Sequence, residues 1–404
     1  MFNRTDRSMI SVWWWTIDRS VLIMAMILSV VGVLMVMAAS PTVALKIGAN
    51  EWHFVIRHAV FLIISLGVMM IAAMCNEGMI RVIGIFGLLA MMILIVMTLT
   101  IGSEVKGATR WISLGSFKIQ PSEFAKPCFA ITSAWLLSLW REERRFPGWI
   151  YSIGLLLMMV FLMVMQPDIG MTILFVMTWA LLIFLAGMPI GQVIGLAGIA
   201  PIFAYLAYVF LPHVTIRVDK FLNGTNDQAD IAMESFSHGG FFGVGASEGV
   251  VKKYLPDAHA DFIYAVAAEE YGAIICLILL ICYGFVVLRG FSHAQKSESL
   301  FRTLAIAGLT LQFGLQAVIH MASSVQLIPT KGMTLPFISY GGSSLITSGL
   351  TIGLLIALTR RRNTHEKRNT AARSMPASPP NHAPDHAPDH ASDHAPIPQG
   401  GAHG

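Results

Sequence analysis

The sequence predicts an all-α, polytopic integral membrane protein with ten transmembrane helices, both termini cytoplasmic, and a large external loop between helices 7 and 8. Two observations carry this. Hydrophobic residues make up 55% of the 404 residues and charged residues 12%, and the charges are confined to short islands between apolar runs of about 17–25 residues, the length that crosses a bilayer's hydrocarbon core. Lysine and arginine also divide unevenly between alternate connecting segments, with the excess on the side that holds the N-terminus, as cytoplasmic segments require.

Residues 1–20 form a cytoplasmic N-terminal segment, basic at Arg4, Arg7 and Arg19, with Trp13, Trp14 and Trp15 suited to the headgroup level. The apolar run Val21–Ala39 is too long for a signal-peptide core and lacks a small-residue cleavage site, so it reads as a retained first span. Further spans follow at Ala59–Met74, Val82–Ile101, Phe124–Trp140, Trp149–Met165, Ile169–Gly187, Ile190–Leu211, Phe262–Leu288, Thr303–Ser323 and Phe337–Leu358. The ten-helix domain occupies 21–360, and its large external loop 213–261.

Beyond Arg360 the chain becomes RRRNTHEKR and then a proline-, alanine- and histidine-rich repeat, a cytoplasmic tail over 361–404 expected to be disordered for want of apolar residues. His382, His386, His390 and His394 recur every four residues, but Pro384 and Pro388 prevent the helix that would align them as metal ligands. Cys75, Cys128, Cys276 and Cys282 lie in or beside spans without metal or redox spacing and read as packing residues. No repeat of about 20–50 residues is visible. Membrane lipids are expected partners and nucleic acid is not.

The outside segments are themselves basic, with Lys46, Arg57, Lys106, Arg110, Lys118, Lys126, Arg217, Lys220, Lys252, Lys253 and Lys331. Three of them hold the candidate chemistry: Gly102–Glu123, His213–Asp261 and Ser324–Pro336. In the first, Pro121, Ser122 and Glu123 start a helix, with an acid near the positive end of its dipole. Lys126, one turn on, either snorkels to the headgroups or holds a phosphate. In the second, Gly239, Gly240, Gly243, Gly245 and Gly249 make a phosphate cradle or, more safely, a flexible or re-entrant segment, and Lys252 and Lys253 contact phosphate or anionic lipid. Asp261 precedes a span and, as a purely structural residue, would cap it. Glu269 and Glu270 lie two turns or more into that span, where a carboxylate requires a function or a buried polar partner. In the third, Gly341, Gly342, Ser343 and Ser344 open the last span and let helices approach closely.

The runs GATRWISLGSFKIQPSEFAK, QPDIG (Gln166–Gly170), SHGGFFGVGASEGVVKKYLPDAHADFIYAVAAEEYG and LIPTKGMTLPFISYGGSS resemble, in order and spacing, the SEDS proteins (shape, elongation, division and sporulation). The resemblance covers nearly the whole chain except the extreme N-terminus and the tail. PTKGMTLPFISYGGSS and LPDAHADFIY are closer to the family's cell-division branch than to its elongation branch. The resemblance implies a peptidoglycan glycosyltransferase that polymerises lipid II, an undecaprenyl-pyrophosphate-linked disaccharide pentapeptide, on the outer face of the cytoplasmic membrane at the division septum. It implies a class B penicillin-binding protein and divisome regulators as partners. Asp261 matches the family's essential aspartate and Lys126 its lysine after QPSEF.

Glycan polymerisation needs a base for the acceptor 4-hydroxyl and cations for the departing pyrophosphate. One carboxylate suffices, because diphosphate is already a good leaving group. The resemblance therefore implies Asp261 as the base, with Arg110, Lys126, Lys252, Lys253, Lys331 and Glu270 in the substrate site. It also allows a divalent cation to share the pyrophosphate, for which no ligand set is legible. The chain departs from the family at His320, where asparagine is common, and over Val218–Ala232. Three other readings share this topology: a lipid II flippase, an elongation-type polymerase, and a non-catalytic divisome scaffold.

Overall fold

An apolar segment in hydrocarbon must satisfy its own backbone hydrogen bonds, and a helix does so locally; the described residues are accordingly mostly helical. The structure is a computed structural model and describes residues 9–105, 108–115, 117–143, 145–224, 227–330 and 332–360. In order, the elements are α1 (Met9–Thr16), α2 (Arg19–Lys46), α3 (His53–Met74), α4 (Glu77–Ile101), β1 (Ser103–Val105), β2 (Ala108–Leu114), β3 (Phe117–Ile119), α5 (Pro121–Glu142), α6 (Gly148–Met165), α7 (Ile169–Leu185), α8 (Ile190–Phe210), α9 (Pro212–Leu222), α10 (Asp227–Gly239), a 3-10 turn (Val251–Lys253), α11 (Ile263–Gln295), α12 (Leu300–Ser324) and α13 (Gly342–Thr359).

Among the described residues seven helices are long and apolar enough to cross a membrane: α2, α3, α4, α6, α11, α12 and α13. The other expected spans fall on α5, which carries Glu123 and Lys126; on α7, of 17 residues; and on α8, whose second half meets α9 at a bend of 103°. The chain is thus a multi-pass membrane protein.

Two segments expected as loops are folded. Residues 103–119 form an antiparallel sheet in the order β1-β2-β3, with Gly115 at φ 61° in the β2–β3 turn, where a side chain would be strained. The segment 213–261 forms α9, α10 and the 3-10 turn.

The interior is built on small residues. Ser65 Oγ donates to the Leu345 carbonyl at 2.6 Å, and a Cβ on Gly349 or Gly353 would lie 2.3 or 2.4 Å from a backbone carbonyl of α3. The last span therefore approaches its neighbour as closely as its composition suggests.

Helix α11 is interrupted at Gly272 (φ 77°, ψ −177°). The glycine-rich segment after α10 fills the interruption: the Val244 and Gly245 N–H groups donate to the Glu269 and Glu270 carbonyls at 3.0 and 3.1 Å, and the Ala273 N–H donates to the Gly240 carbonyl at 2.9 Å. A Cβ on Gly243 would sit 2.1 Å from the Glu270 carbonyl oxygen. This glycine cluster therefore serves close backbone packing, and its amides at 244 and 245 are committed to α11 instead of to a phosphate. Broken backbone of this kind is tolerated in a membrane protein where it is enclosed by protein.

Candidate active site

Asp261 lies in the turn that joins the 3-10 segment to α11, half-buried, with its N–H donating to the Asp257 carbonyl at 3.0 Å. Helix α11 takes Phe262 as its N-cap, so Asp261 stands one residue before the capping position. The turn is locked to the segment before α13. Tyr340 N–H donates to the His259 carbonyl at 2.9 Å and Ser339 Oγ to the Ala260 carbonyl at 2.7 Å. The His259 ring packs between Phe54 and Tyr340 at centroid distances of 4.3 and 5.1 Å, and the Arg57 side chain hydrogen-bonds Tyr340.

That same segment brings Gly332 against the Asp261 carboxylate: a Cβ at 332 would lie 3.1 Å from Oδ2. A side chain at 332 would crowd the carboxylate. The four residues that follow are braced one by one. His320 Nδ1 donates to the Met333 carbonyl at 2.6 Å, Gln316 Nε2 to the Thr334 carbonyl at 2.9 Å, the Leu335 N–H to Ser339 Oγ at 2.8 Å, and Tyr283 OH to the Pro336 carbonyl. His320 and Gln316 are four residues apart on α12 and so share one face.

Lys126 is 3% exposed. Its ammonium pairs with Glu123 at 2.7 Å and donates to Gln316 Oε1 at 2.6 Å. It lines a small internal cavity with Gln316, Pro336 and Thr347. Lys126 is thus joined through one amide side chain to Thr334, two residues from Gly332, and its reach to the Asp261 region is through the loop it helps to hold.

Lys252 and Glu270 were expected to contact substrate. They pair with each other in the interior, and Lys252 Nζ also donates to the Ala38 carbonyl at 2.9 Å. Glu269 accepts the N–H groups of Val250, Val251 and Lys252 at 2.7–2.8 Å and a bond from His238 at 3.0 Å. Both carboxylates thereby find the buried polar partner that an intramembrane acid requires. Lys253 is exposed at the rim, where its carbonyl accepts from Lys46 Nζ at 2.5 Å. Lys331 and the histidine-rich tail lie outside the described residues.

Arg110, on β2, is held by the QPDIG turn. Its Nε donates to the Gln166 carbonyl at 3.0 Å, another nitrogen donates to the Pro167 carbonyl, and Nη1 lies 3.4 Å from Asp168 Oδ2. Arg217, on α9, is in electrostatic range of Asp261, Arg110 and Asp168. The half-buried Asp261 carboxylate therefore lies in the field of Arg217, which is itself coupled to Arg110 and Asp168. Among the described residues no group of three or more His, Cys, Asp or Glu side chains gathers to hold a metal ion.

Sequence reasoning did not single out Arg217, Gln316, Thr334 or Tyr283. A signal for Gln316 was present: Gln312, Gln316 and His320 recur at every fourth residue of a span and form a polar stripe on one face. Arg217 carries no such pattern, because its neighbours come from other elements.

Residues 18–364 match the family model described as cell cycle protein, which covers FtsW, RodA and SpoVE. The probable peptidoglycan glycosyltransferase FtsW of Caulobacter vibrioides is 41% identical over 367 residues, covering 89% of this chain and 94% of that protein. The protein of the same name from Marinobacter nauticus is 34% identical over 354 residues, covering 84% and 89%. Among solved structures, a chain of a peptidoglycan synthase complex that coordinates polymerization and crosslinking superimposes with a TM-score of 0.73 at 24% identity, over 86% of this chain and 98% of its own. The rod shape determining protein RodA of Thermus thermophilus gives 0.65 at 24% identity, over 87% and 99%. At these identities the solved structures establish the fold, and the family model and the sequence relatives establish the kinship. The chain belongs to the FtsW, RodA and SpoVE family of cell cycle proteins.

Proposed function

We propose that this chain is a peptidoglycan glycosyltransferase that polymerises lipid II into glycan strands at the division septum, with Asp261 as its general base. The observation that carries the reading is the half-buried Asp261 carboxylate in a turn locked to two other segments, faced by glycine at 332 and in electrostatic range of Arg217. The name borne by relatives up to 41% identical over most of the chain supports the reaction class.

In this mechanism the Asp261 carboxylate accepts the proton of the acceptor sugar's 4-hydroxyl as that oxygen attacks the donor's anomeric carbon. The bond from that carbon to the pyrophosphate breaks, the configuration inverts, and the negative charge passes to the leaving diphosphate. Positioned cations near the departing oxygens lower the barrier. Arg217, Arg110 and exposed Lys253 supply them, with Lys331 a further candidate. Lys126 acts as a positioning residue, through Gln316 and Thr334, on the loop that bears Gly332. The active site faces the periplasm across the cytoplasmic membrane. A class B penicillin-binding protein crosslinks the product and divisome regulators activate the pair; the solved complex similar in fold supports such a partnership.

The test is polymerisation of purified lipid II by the full chain reconstituted with its transpeptidase, comparing wild type with Asp261→Asn. The reading requires polymer from wild type and none from a folded Asp261→Asn. Equal polymer from both would remove Asp261 as the base. No polymer from either, in a complex whose transpeptidase is active, would favour the flippase or scaffold.

A further inference from the structure

A cavity of about 160 Å³ lies among α9, α10 and the segment after α12. Lys220 and Phe221 line it one turn along α9 from Arg217, and Thr330, two residues before Gly332, stands at its edge. Its lining is chemically divided. Phe221, Ile328 and buried Ala229 make an apolar floor, while Lys220 and Asp230 supply one charge of each sign. Asp230 accepts a hydrogen bond from Gln326 at 3.0 Å. Lys220 forms no ion pair among the described residues.

The volume corresponds to roughly five waters at ~30 Å³ each, far below the ~300–1,000 Å³ that encloses a drug-sized ligand. A disaccharide does not fit, whereas one or two small amino-acid residues do. We propose that this cavity is a subsite for the carboxylate-terminated peptide branch of the glycan precursor. Lys220 takes the terminal carboxylate, Asp230 accepts a peptide N–H, and the apolar floor seats a small side chain. The subsite rests on the polymerase reading above and deepens it: it lets the enzyme measure the peptide while the sugar is presented to Asp261. A lysine with no ion pair among the described residues suits a free carboxylate, and a carboxylate already oriented by Gln326 suits a neutral N–H.

The experiment measures polymerisation kinetics of the full chain with its transpeptidase on two lipid II substrates, one with the free peptide carboxylate and one with that carboxylate amidated. Lys220→Met is expected to raise KM about tenfold for the free carboxylate, the scale of one hydrogen bond to a charged group. It should leave kcat, and both constants for the amidated substrate, near wild type. Asp230→Asn, which keeps the shape, is expected to raise KM severalfold for both substrates. If Lys220→Met changes both substrates equally, the lysine acts as a general attractor of anions and the subsite is overturned; if it changes neither, the cavity is not used. Wild type that polymerises neither substrate removes the polymerase reading and the subsite together, an outcome distinct from active wild type with an indifferent Lys220→Met.

Discussion

The Lys252 ammonium and the Glu270 carboxylate form an ion pair in which neither side chain is more than 3% exposed. With the bond from Lys252 to the Ala38 carbonyl, this pair ties the 3-10 turn, α11 and α2 into one joint. Removing one partner strands the other charge, whereas replacing both with apolar side chains leaves no orphan. Lys252→Met or Glu270→Gln alone should cost about 3–5 kcal/mol, while the double variant Lys252→Met/Glu270→Leu should recover most of it, read as thermal unfolding in detergent. A double variant that is stable yet has a raised KM for lipid II would return these residues to the substrate site.

Gln316 receives the Lys126 ammonium at one end of its amide and donates to Thr334 at the other. Gln316→Glu keeps the acceptor for Lys126 and removes the donor that braces the loop over Asp261. Misplacement by an ångström at a reacting centre can cost about a hundredfold in rate. The expected outcome is a fall in kcat of up to about that size with KM little changed; a fall in stability with kcat intact would make Gln316 a packing residue only.

Gly243 has φ 79° and no room for a side chain beside the Glu270 carbonyl, whereas Gly240, at φ 55°, has nothing within 4 Å of an added Cβ. The left-handed conformation alone costs a side chain about 1–2 kcal/mol. Gly240→Ala should show that cost, and Gly243→Ala a larger one, with amide exchange rising at Ala273, whose N–H bonds to the displaced segment. Equal effects would mean that the segment does not fill the break in α11.

Asp18, just before α2, accepts bonds from Ser20, from Arg289 Nε at 2.6 Å and from His293 Nε2 at 2.5 Å. Burial pushes its pKa up, but the bonds from Ser20, His293 and Arg289 outweigh it and hold the carboxyl well below the usual range. A lowered folded pKa means that the contribution is present above the unfolded value, about 3.9, and lost as pH falls through the folded one. The stability gap between wild type and Asp18→Asn should be flat above roughly pH 5 and narrow below it; a gap independent of pH would mean that the ionised form is not what matters.

What could be read in the chain follows from how far each force reaches. The helices were legible because hydrocarbon obliges each apolar run to satisfy its own backbone, so the evidence for a span lies within that span. The polar stripe of Gln312, Gln316 and His320 was written on one helix at a regular spacing and was legible in the same way. Residues 103–119 were not, since a sheet's partners are decided by pairing between segments and not within one.

Asp261 and Lys126 were singled out by their motifs, but Lys252 and Glu270 were grouped with them for their charge. Charge says that a buried group needs a partner and says nothing of which. The fold gave Glu270 to Lys252 and Lys126 to Glu123 and Gln316, and it brought Arg217 from α9 into the field of Asp261. The sequence by itself determined a mostly helical, multi-pass membrane protein and its family. Only the tertiary structure decided which ions were partners, because that choice depends on which side chains meet when helices far apart in the chain pack together.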